Sequence, residues 1–364
     1  MKIGILGGGQ LARMIALAGY PLGLKFIVLD PDPQAGAGGL SEHLQGAYDD
    51  PALLAELAEK ADVVTYEFEN VPAHVAEFLS SHTTVYPPAN ALAVAQDRLL
   101  EKNFFRDLGI RTAPYAAVDS LEDLQRAMAE MAYPAILKSR RMGYDGKGQY
   151  LIKSADDLSP AWQSMQGAAA IVEGFVPFQR EISVIAARRP SGDMVFYPVS
   201  ENRHKGGILR VAECRPNDAA QAKAEDYAKS LLEKLNYVGV IALELFEVGG
   251  ELLANEFAPR VHNSGHWSIE GAETSQFENH LRAILDLPLG STAARGHAGM
   301  VNFIGGLAAD QQVLALINCH LHLYDKTPRK GRKVAHATVR ADNAGVYAES
   351  LQRLIELAAA TDDS

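Results

Sequence analysis

Two short apolar runs, Val240 to Phe246 and Leu252 to Ala258, face each other across Gly249-Gly250. Runs of this length broken by a glycine-bearing loop read as a β-hairpin. The pair constrains the fold more than any other segment, because each run carries one carboxylate, Glu244 and Glu256. A three-residue loop, Gly249 to Glu251, sets these two glutamates directly opposite each other. Their Cβ atoms then lie roughly 5 Å apart on one face of the ribbon. Carboxylates that close repel unless a cation sits between them. Mg²⁺ suits the place, since it takes one or two carboxylates and completes its shell with nucleotide phosphates. The alternative is an exposed hairpin with solvated glutamates. The dense polar run that follows, Ala258-Pro259-Arg260-Val261-His262-Asn263-Ser264-Gly265-His266, weighs against it, being suited to holding a small anion.

Bulk properties narrow the class. The chain has 364 residues, a length that predicts two or three domains. Its net charge of −11 disfavours general nucleic-acid binding, so anionic ligands need local basic pockets. No apolar run approaches the roughly 20 residues that span a bilayer. The N-terminus, Met1 to Gly7, lacks a signal-peptide pattern and reads as a first buried strand. Cys214 and Cys319 are the only cysteines, which predicts reduced thiols in a cytoplasmic protein, with packing as their role.

Strands are expected at Lys2 to Leu6, Lys25 to Leu29 and Asp62 to Tyr66, alternating with helices at Gln10 to Gly19 and Pro51 to Lys60. That order predicts a doubly wound, Rossmann-like parallel sheet. After Pro87-Pro88 a helix is expected from Ala89 to Leu108. Strands at Ala135 to Lys138, Gln149 to Ile152, Ala170 to Glu173 and Glu181 to Ala187 then lead into the hairpin, an α+β pattern. A short third unit holds Val301 to Ile304, His320 to Tyr324 and His336 to Arg340. The expected division is 1–97, 98–296 and 297–364.

Gly7-Gly8-Gly9-Gln10-Leu11-Ala12 satisfies G-x-G-x-x-A after a strand, with Asp30 ending the next strand. This is close to the dinucleotide fingerprint and admits a nicotinamide-dependent oxidoreductase. Its physical content is broader. A glycine-rich turn offers helix N-terminal amides to any phosphate, so a phosphate-bearing substrate fits equally well.

Four further segments select between these. Pro134 to Lys138 ends a buried strand on a lysine, and Gly143-Tyr144-Asp145-Gly146-Lys147-Gly148-Gln149 follows as a glycine-rich loop. Then come Ile171-Val172-Glu173-Gly174-Phe175-Val176 and Arg180-Glu181. This order resembles the ATP-grasp superfamily, in which a nucleotide lies between two α+β halves. Over its whole length the chain is similar to the branch that carboxylates an aminoimidazole ribonucleotide in purine biosynthesis. The motifs are Gly8 to Leu11, Tyr66-Glu67-Phe68-Glu69-Asn70-Val71-Pro72, Gly143 to Gln149, Ala258 to Trp267, and Tyr324-Asp325-Lys326 with Arg329 to His336. Many relatives carry Arg-Pro-Gly-Arg where this chain has Arg329-Lys330-Gly331-Arg332.

The resemblance implies an ATP-grasp fold with a Rossmann-like N-terminal domain and a small C-terminal domain. It also implies an ATP-dependent carbon–nitrogen ligase that uses bicarbonate through carboxyphosphate and works as a homodimer. Adenine and ribose are expected at Glu173, Gly174, Phe175, Val176 and Glu181. The phosphates are expected at Arg98, Lys138, Gly143, Tyr144, Asp145, Gly146, Lys147, Gly148, Gln149 and His204. Mg²⁺ is expected on Glu244 and Glu256, with Asn255 alongside. Arg260, His262 and Asn263 would hold bicarbonate. Tyr144, Asp145, Lys147, Lys326, Arg332, Gln10 and Glu67 would contact the ribonucleotide. Asp145 would orient its exocyclic amine or accept its proton. His262, if its pKa is ordinary, suits deprotonation of bicarbonate or of the amine. Rival ligases of the superfamily, using formate or biotin, and an inactive ATP-binding module complete the alternatives; the chain lacks an Ala-Met-Lys-Met biotin site.

Overall fold

The structure is a computed structural model that describes residues 1–143 and 148–362. Tyr144, Asp145, Gly146 and Lys147, all assigned above to ligand contacts, lie outside the described residues.

Strands β1 (Lys2–Leu6), β2 (Lys25–Asp30), β3 (Glu42–Gln45), β4 (Val63–Tyr66) and β5 (Thr84–Val85) form a parallel sheet in the order β3-β2-β1-β4-β5. Alternation along the strands explains why both faces are covered. Ile3, Ile5, Phe26 and Val28 bury against α1 (Gln10–Gly19), while Leu6, Ile27, Leu29 and Val64 bury against α2 (Pro51–Lys60) and α3 (Ala73–His82). A sheet apolar on both sides needs such a double layer. The strand order reverses between β1 and β4, and in open sheets of this kind the crevice at that point is the usual ligand site.

The helix expected over Ala89 to Leu108 is two helices, α4 (Ala89–Ala95) and α5 (Arg98–Asp107). Asp97 breaks it. Its carboxylate caps α5 through Leu99 N at 3.0 Å and also binds Arg140 and Arg141, at 2.8 and 3.2 Å to Oδ2. An aspartate that satisfies the first amides of a new helix outweighs continuation of the old one.

Strands β6 (Tyr115–Val118), β7 (Ala135–Ser139), β8 (Gln149–Ile152) and β9 (Ala170–Gly174) make an antiparallel sheet ordered β6-β9-β7-β8. The rest belong to a nine-stranded antiparallel sheet: β10 (Arg180–Arg188), β11 (Met194–Phe196), β12 (Ser200–Lys205), β13 (Ile208–Cys214), β14 (Gly239–Val248), β15 (Glu251–Ala258), β16 (His297–Ile304), β17 (Cys319–Leu323) and β18 (Lys333–Ala341). Its order is β15-β14-β10-β12-β13-β16-β18-β17, with β11 paired to β10 off this path. The strands of the expected third unit continue the central sheet, since β16 pairs with β13 through Val211↔Val301. No helix among the described residues is long and apolar enough to cross a membrane.

Candidate active site

The hairpin sets the site. Its turn holds two residues rather than three: Val248 pairs with Glu251, and Gly249 and Gly250 take φ of 61° and 83°. Two successive positive φ values are what a type I′ turn needs and what glycine supplies without strain. Glu244 nevertheless pairs with Glu256, because the register shifts between Glu244 and Leu245. The extra residue is Asn255, in a β-bulge, and its carbonyl accepts from Lys102 Nζ at 2.7 Å. The carboxylate pairing was therefore legible, but the residue that produces it sits in the bulge and not in the turn.

The two carboxylates sit in different fields. Burial first, and then the facing Glu256, push Glu244 up to about 7. Burial would also raise Glu256, but Arg98, with Nη1 2.9 Å away, and Lys138 outweigh it and hold Glu256 low. Among the described residues no group of three or more His, Cys, Asp or Glu is arranged to hold a metal. The fit to Mg²⁺ rests on the opposed pair with Asn255. Like charges held together with an unrelieved rise on one of them suit a cation whose remaining ligands come from phosphate oxygens.

These groups line a cleft of about 710 Å³. Gln10, Glu67, Arg98, Lys138, Gly143, Gln149, Glu181, His204, Glu244, Asn255, Glu256, Arg260, His262 and Asn263 all reach its wall. It also takes Glu69, Asn70, Phe246 and Lys333, which the sequence motifs contain without a ligand role, and Phe178, which sequence reasoning missed. Phe246 had a signal, since it lies two residues beyond Glu244 and shares its face of β14. Its ring stacks on Phe178, centroids 4.8 Å apart. His204 Nδ1 lies 3.0 Å from Glu181.

Glu173, Gly174, Phe175 and Val176 stand back from the wall. Glu173 is buried and its Oε2 takes Lys138 at 3.1 Å and Lys102 at 3.3 Å. Burial opposes its charge, but those lysines and Arg98 bring it down to about 2. Its buried Oε1 has no hydrogen-bond partner among the described residues. Phe175 is 47% exposed.

A side chamber of about 60 Å³ opens between Arg98, Glu101, Glu244, Glu256, Arg260 and His262. One water needs about 10–15 Å³ on this scale, so the chamber has room for a small anion. Arg260 pairs with Glu69, which it holds below the usual carboxylate range against the effect of burial. Asn263 exchanges amide hydrogen bonds with Asn302, at 2.6 and 3.2 Å. His262 does not have an ordinary pKa: burial, then Arg260, push it well below the usual value, so it is neutral. Glu101, unmarked in the sequence reading, is buried, accepts from Phe257 N at 2.7 Å and is raised to about 8 by burial and by Glu256.

The glycine turn after β1 is at the switch point but is already filled. Gly8 N donates to Asp30 at 2.7 Å, and Gly9 N and Ala12 N donate to the Glu67 carboxylate at 2.6 and 3.1 Å. A Cβ on Gly9 would lie 2.4 Å from Glu67 Oε1. Three amides expected to meet a phosphate are therefore spent on protein carboxylates, and Asp30, the acid of the fingerprint, is spent with them. Lys326 Nζ hydrogen-bonds Gln10 Oε1, joining two residues assigned to the ribonucleotide. Arg332 is absent from the cleft wall; its Nη1 donates to Thr327 O at 3.3 Å.

A nucleotide-sized cleft between two α+β sheets, with a buried lysine on one and paired carboxylates on the other, defines the ATP-grasp class. Residues 103–277 match the ATP-grasp domain, residues 1–96 the ribonucleotide synthetase preATP-grasp domain, and residues 298–350 the phosphoribosylaminoimidazole carboxylase C-terminal domain. The chain is 52% identical to the N5-carboxyaminoimidazole ribonucleotide synthase of Pseudomonas aeruginosa, covering 98% of this chain and 100% of that one. The crystal structure of the corresponding synthetase from Thermus thermophilus superposes with a TM-score of 0.94, at 53% identity and 98% coverage of each chain. The Aspergillus clavatus synthase, solved with ADP and 5-aminoimidazole ribonucleotide, gives 0.91 at 31% identity, covering 99% of this chain and 98% of that one. The chain belongs to the N5-carboxyaminoimidazole ribonucleotide synthase family.

Proposed function

We propose that this protein carboxylates 5-aminoimidazole ribonucleotide with bicarbonate at the expense of ATP, giving N5-carboxyaminoimidazole ribonucleotide, ADP and phosphate in purine biosynthesis. The observation that carries the reading is the cleft with its side chamber, in a chain matched end to end by this family. Bicarbonate is a poor electrophile. One of its oxygens attacks the γ-phosphorus, ADP leaves, and the resulting carboxyphosphate breaks down to CO₂ and phosphate. The exocyclic nitrogen then forms its bond to the CO₂ carbon and releases a proton. Phosphoryl transfer of this kind needs alignment and charge neutralisation more than covalent help.

Arg98, Lys138 and His204 meet the phosphates, and Glu181 takes the ribose side. Glu244, Glu256 and Asn255 hold Mg²⁺, which supplies neutralisation of the phosphate charge when bound. Arg260 orients bicarbonate in the side chamber, with His262 beside it as a neutral group. Gln10 and Lys326 take the ribonucleotide, and Asp145 orients its amine. A homodimer in the cytoplasm, with domains at 1–97, 98–296 and 297–364, completes the proposal.

The test measures ADP and carboxylated nucleotide in parallel. ADP release should require both bicarbonate and the ribonucleotide, with no change in NAD(P)H absorbance. Asp145→Asn should keep some bicarbonate-dependent ATP cleavage while forming little carboxylated product. Arg260→Ala should suppress cleavage itself by about 10²-fold, as expected when an attacking group is misplaced by about 1 Å. An Asp145 variant unable to cleave ATP, with the Arg260 variant coupling normally, would reverse these roles.

A further inference from the structure

His262 carries buried connections that the reaction scheme does not use. Its Nδ1 accepts from Ser264 N at 3.3 Å and lies 2.9 Å from Ser264 Oγ. A backbone amide can only donate, so this long bond favours Nδ1 as the unprotonated nitrogen without fixing it alone. The hydroxyls point the same way. Asn202 Nδ2 donates to Ser183 Oγ at 3.1 Å, and Ser183 Oγ donates to Ser264 Oγ at 2.7 Å. Each serine has one proton, so the proton of Ser264 is left for Nδ1. Ser183 and Ser264 are fully buried, and Asn202 is 5% exposed. Ser183 is also the cross-strand partner of Glu244, which ties this chain to the carboxylate pair.

The backbone of His262 is held as well. Its N donates to Gln276 Oε1 at 2.9 Å, and Gln276 Nε2 donates to its carbonyl at 2.6 Å. A Cβ at Gly265 would come within 2.8 Å of the Gln276 side chain, so that glycine makes the clamp possible. The remaining nitrogen, Nε2, lies 3.3 Å from Glu244 Oε1.

We infer that Ser264 and Ser183 are positioning residues that hold His262 as its Nε2–H tautomer, so that it faces Glu244 and the side chamber as a hydrogen-bond donor. The inference rests on the proposed reaction only for what that donor does. A nitrogen that already carries its proton does not take one from bicarbonate. His262 therefore stabilises an oxygen and leaves the role of base to another group. Fixing the orientation and tautomer of a functional histidine through its other nitrogen is a general device.

The tautomer is read directly. In ligand-free protein labelled with ¹⁵N-histidine, long-range ¹H–¹⁵N correlation should show His262 with a bare, pyridine-type Nδ1 and a protonated Nε2. Ser264→Ala should shift this pattern toward a mixture and lower kcat for bicarbonate-dependent ATP cleavage about 10-fold, as removal of such supporting groups commonly does. KM for ATP should stay unchanged, and Ser264→Thr should restore both readouts. Ser183→Ala, one step further away, should act in the same direction but less. A protonated Nδ1 in the wild type, or a Ser264→Ala variant with unchanged tautomer and kcat, would overturn the inference. Should Ser264→Ala not fold, the wild-type spectrum and Ser183→Ala decide. Failure of the wild type to release ADP with bicarbonate and ribonucleotide would instead refute the reaction, while the spectrum still judges the tautomer.

Discussion

Two places in this molecule look built for phosphate chemistry, and only one is left unfinished by the protein itself. At the glycine turn after β1 both carboxylates already accept from the turn's amides: Asp30 takes that of Gly8, and Glu67, which burial raises, takes those of Gly9 and Ala12. At the β14–β15 hairpin the opposite holds. Glu244 and Glu256 face each other, and the first is pushed up to about 7. A phosphate arriving at the turn meets a carboxylate where it needs a donor. A cation arriving at the hairpin relieves a repulsion already present. The difference shows that backbone donors already spent on protein carboxylates are closed to a phosphate, whereas two carboxylates that face each other remain suited to a cation.

The largest effect should come from the unfinished region. Glu256→Gln should keep the fold and lower turnover about 10²-fold or more, because one anionic ligand facing the triphosphate is lost. Steady-state ADP release under limiting Mg²⁺ measures it, and full activity there would break the comparison.

The two regions meet at His280, and the next effect comes from that junction. Its Nδ1 accepts from Val240 N in β14 at 3.1 Å, and its Nε2 lies 2.9 Å from Thr65 Oγ1 in β4. Burial brings its pKa from 6.5 to about 4. A depressed value means the stabilisation is present above about 6.5 and is lost as pH falls through about 4. At roughly 1.4 kcal/mol per pH unit, the gap is worth about 3 kcal/mol. Urea denaturation at several pH values should show His280→Gln less stable at neutral pH and less sensitive to acid than the wild type. Parallel slopes for the two proteins would remove His280 from the acid response.

The smallest effect belongs to the finished region. Glu67→Ala should cost about 1–2 kcal/mol of stability, since it uncaps two amides of α1, while nucleotide affinity holds. Thermal melts and calorimetric titration with ATP check both halves. Weakened nucleotide binding with unchanged stability would mean that the glycine turn is a binding feature after all.

Much of this was legible in the sequence. The spans of β1, β2 and β4 and of helices α1 and α2 follow from runs of apolar residues and their period, which depend on near neighbours alone; the short edge strands β3 and β5 carry no such run. Glu244 and Glu256 were legible as a pair from their spacing about Gly249-Gly250, although the bulge at Asn255, and not a three-residue turn, brings them opposite. Lys138 was legible from its place at the end of a buried strand. Long-range partners were not. Asp97 splits α4 from α5 by capping α5, and the partners that hold it there, Arg140 and Arg141, are more than 40 residues away. Glu101 and Lys102 sit under the site by virtue of α5 packing on β15, and no local pattern marks a helix for that.

By itself, then, the sequence determined the spans of β1, β2, β4 and the first two helices, that two carboxylates share a hairpin face, and which family the motifs resemble. The physical reason is that periodicity, turn chemistry and spacing act over a few residues. Tertiary structure decided the rest. It placed the extra hairpin residue at Asn255, spent the Gly8, Gly9 and Ala12 amides on Asp30 and Glu67, and joined β16 to β13 in one sheet. It also buried His262 beside Arg260, where it is neutral. Each of these depends on the dielectric and the partners that a residue meets only when distant parts of the chain pack against it.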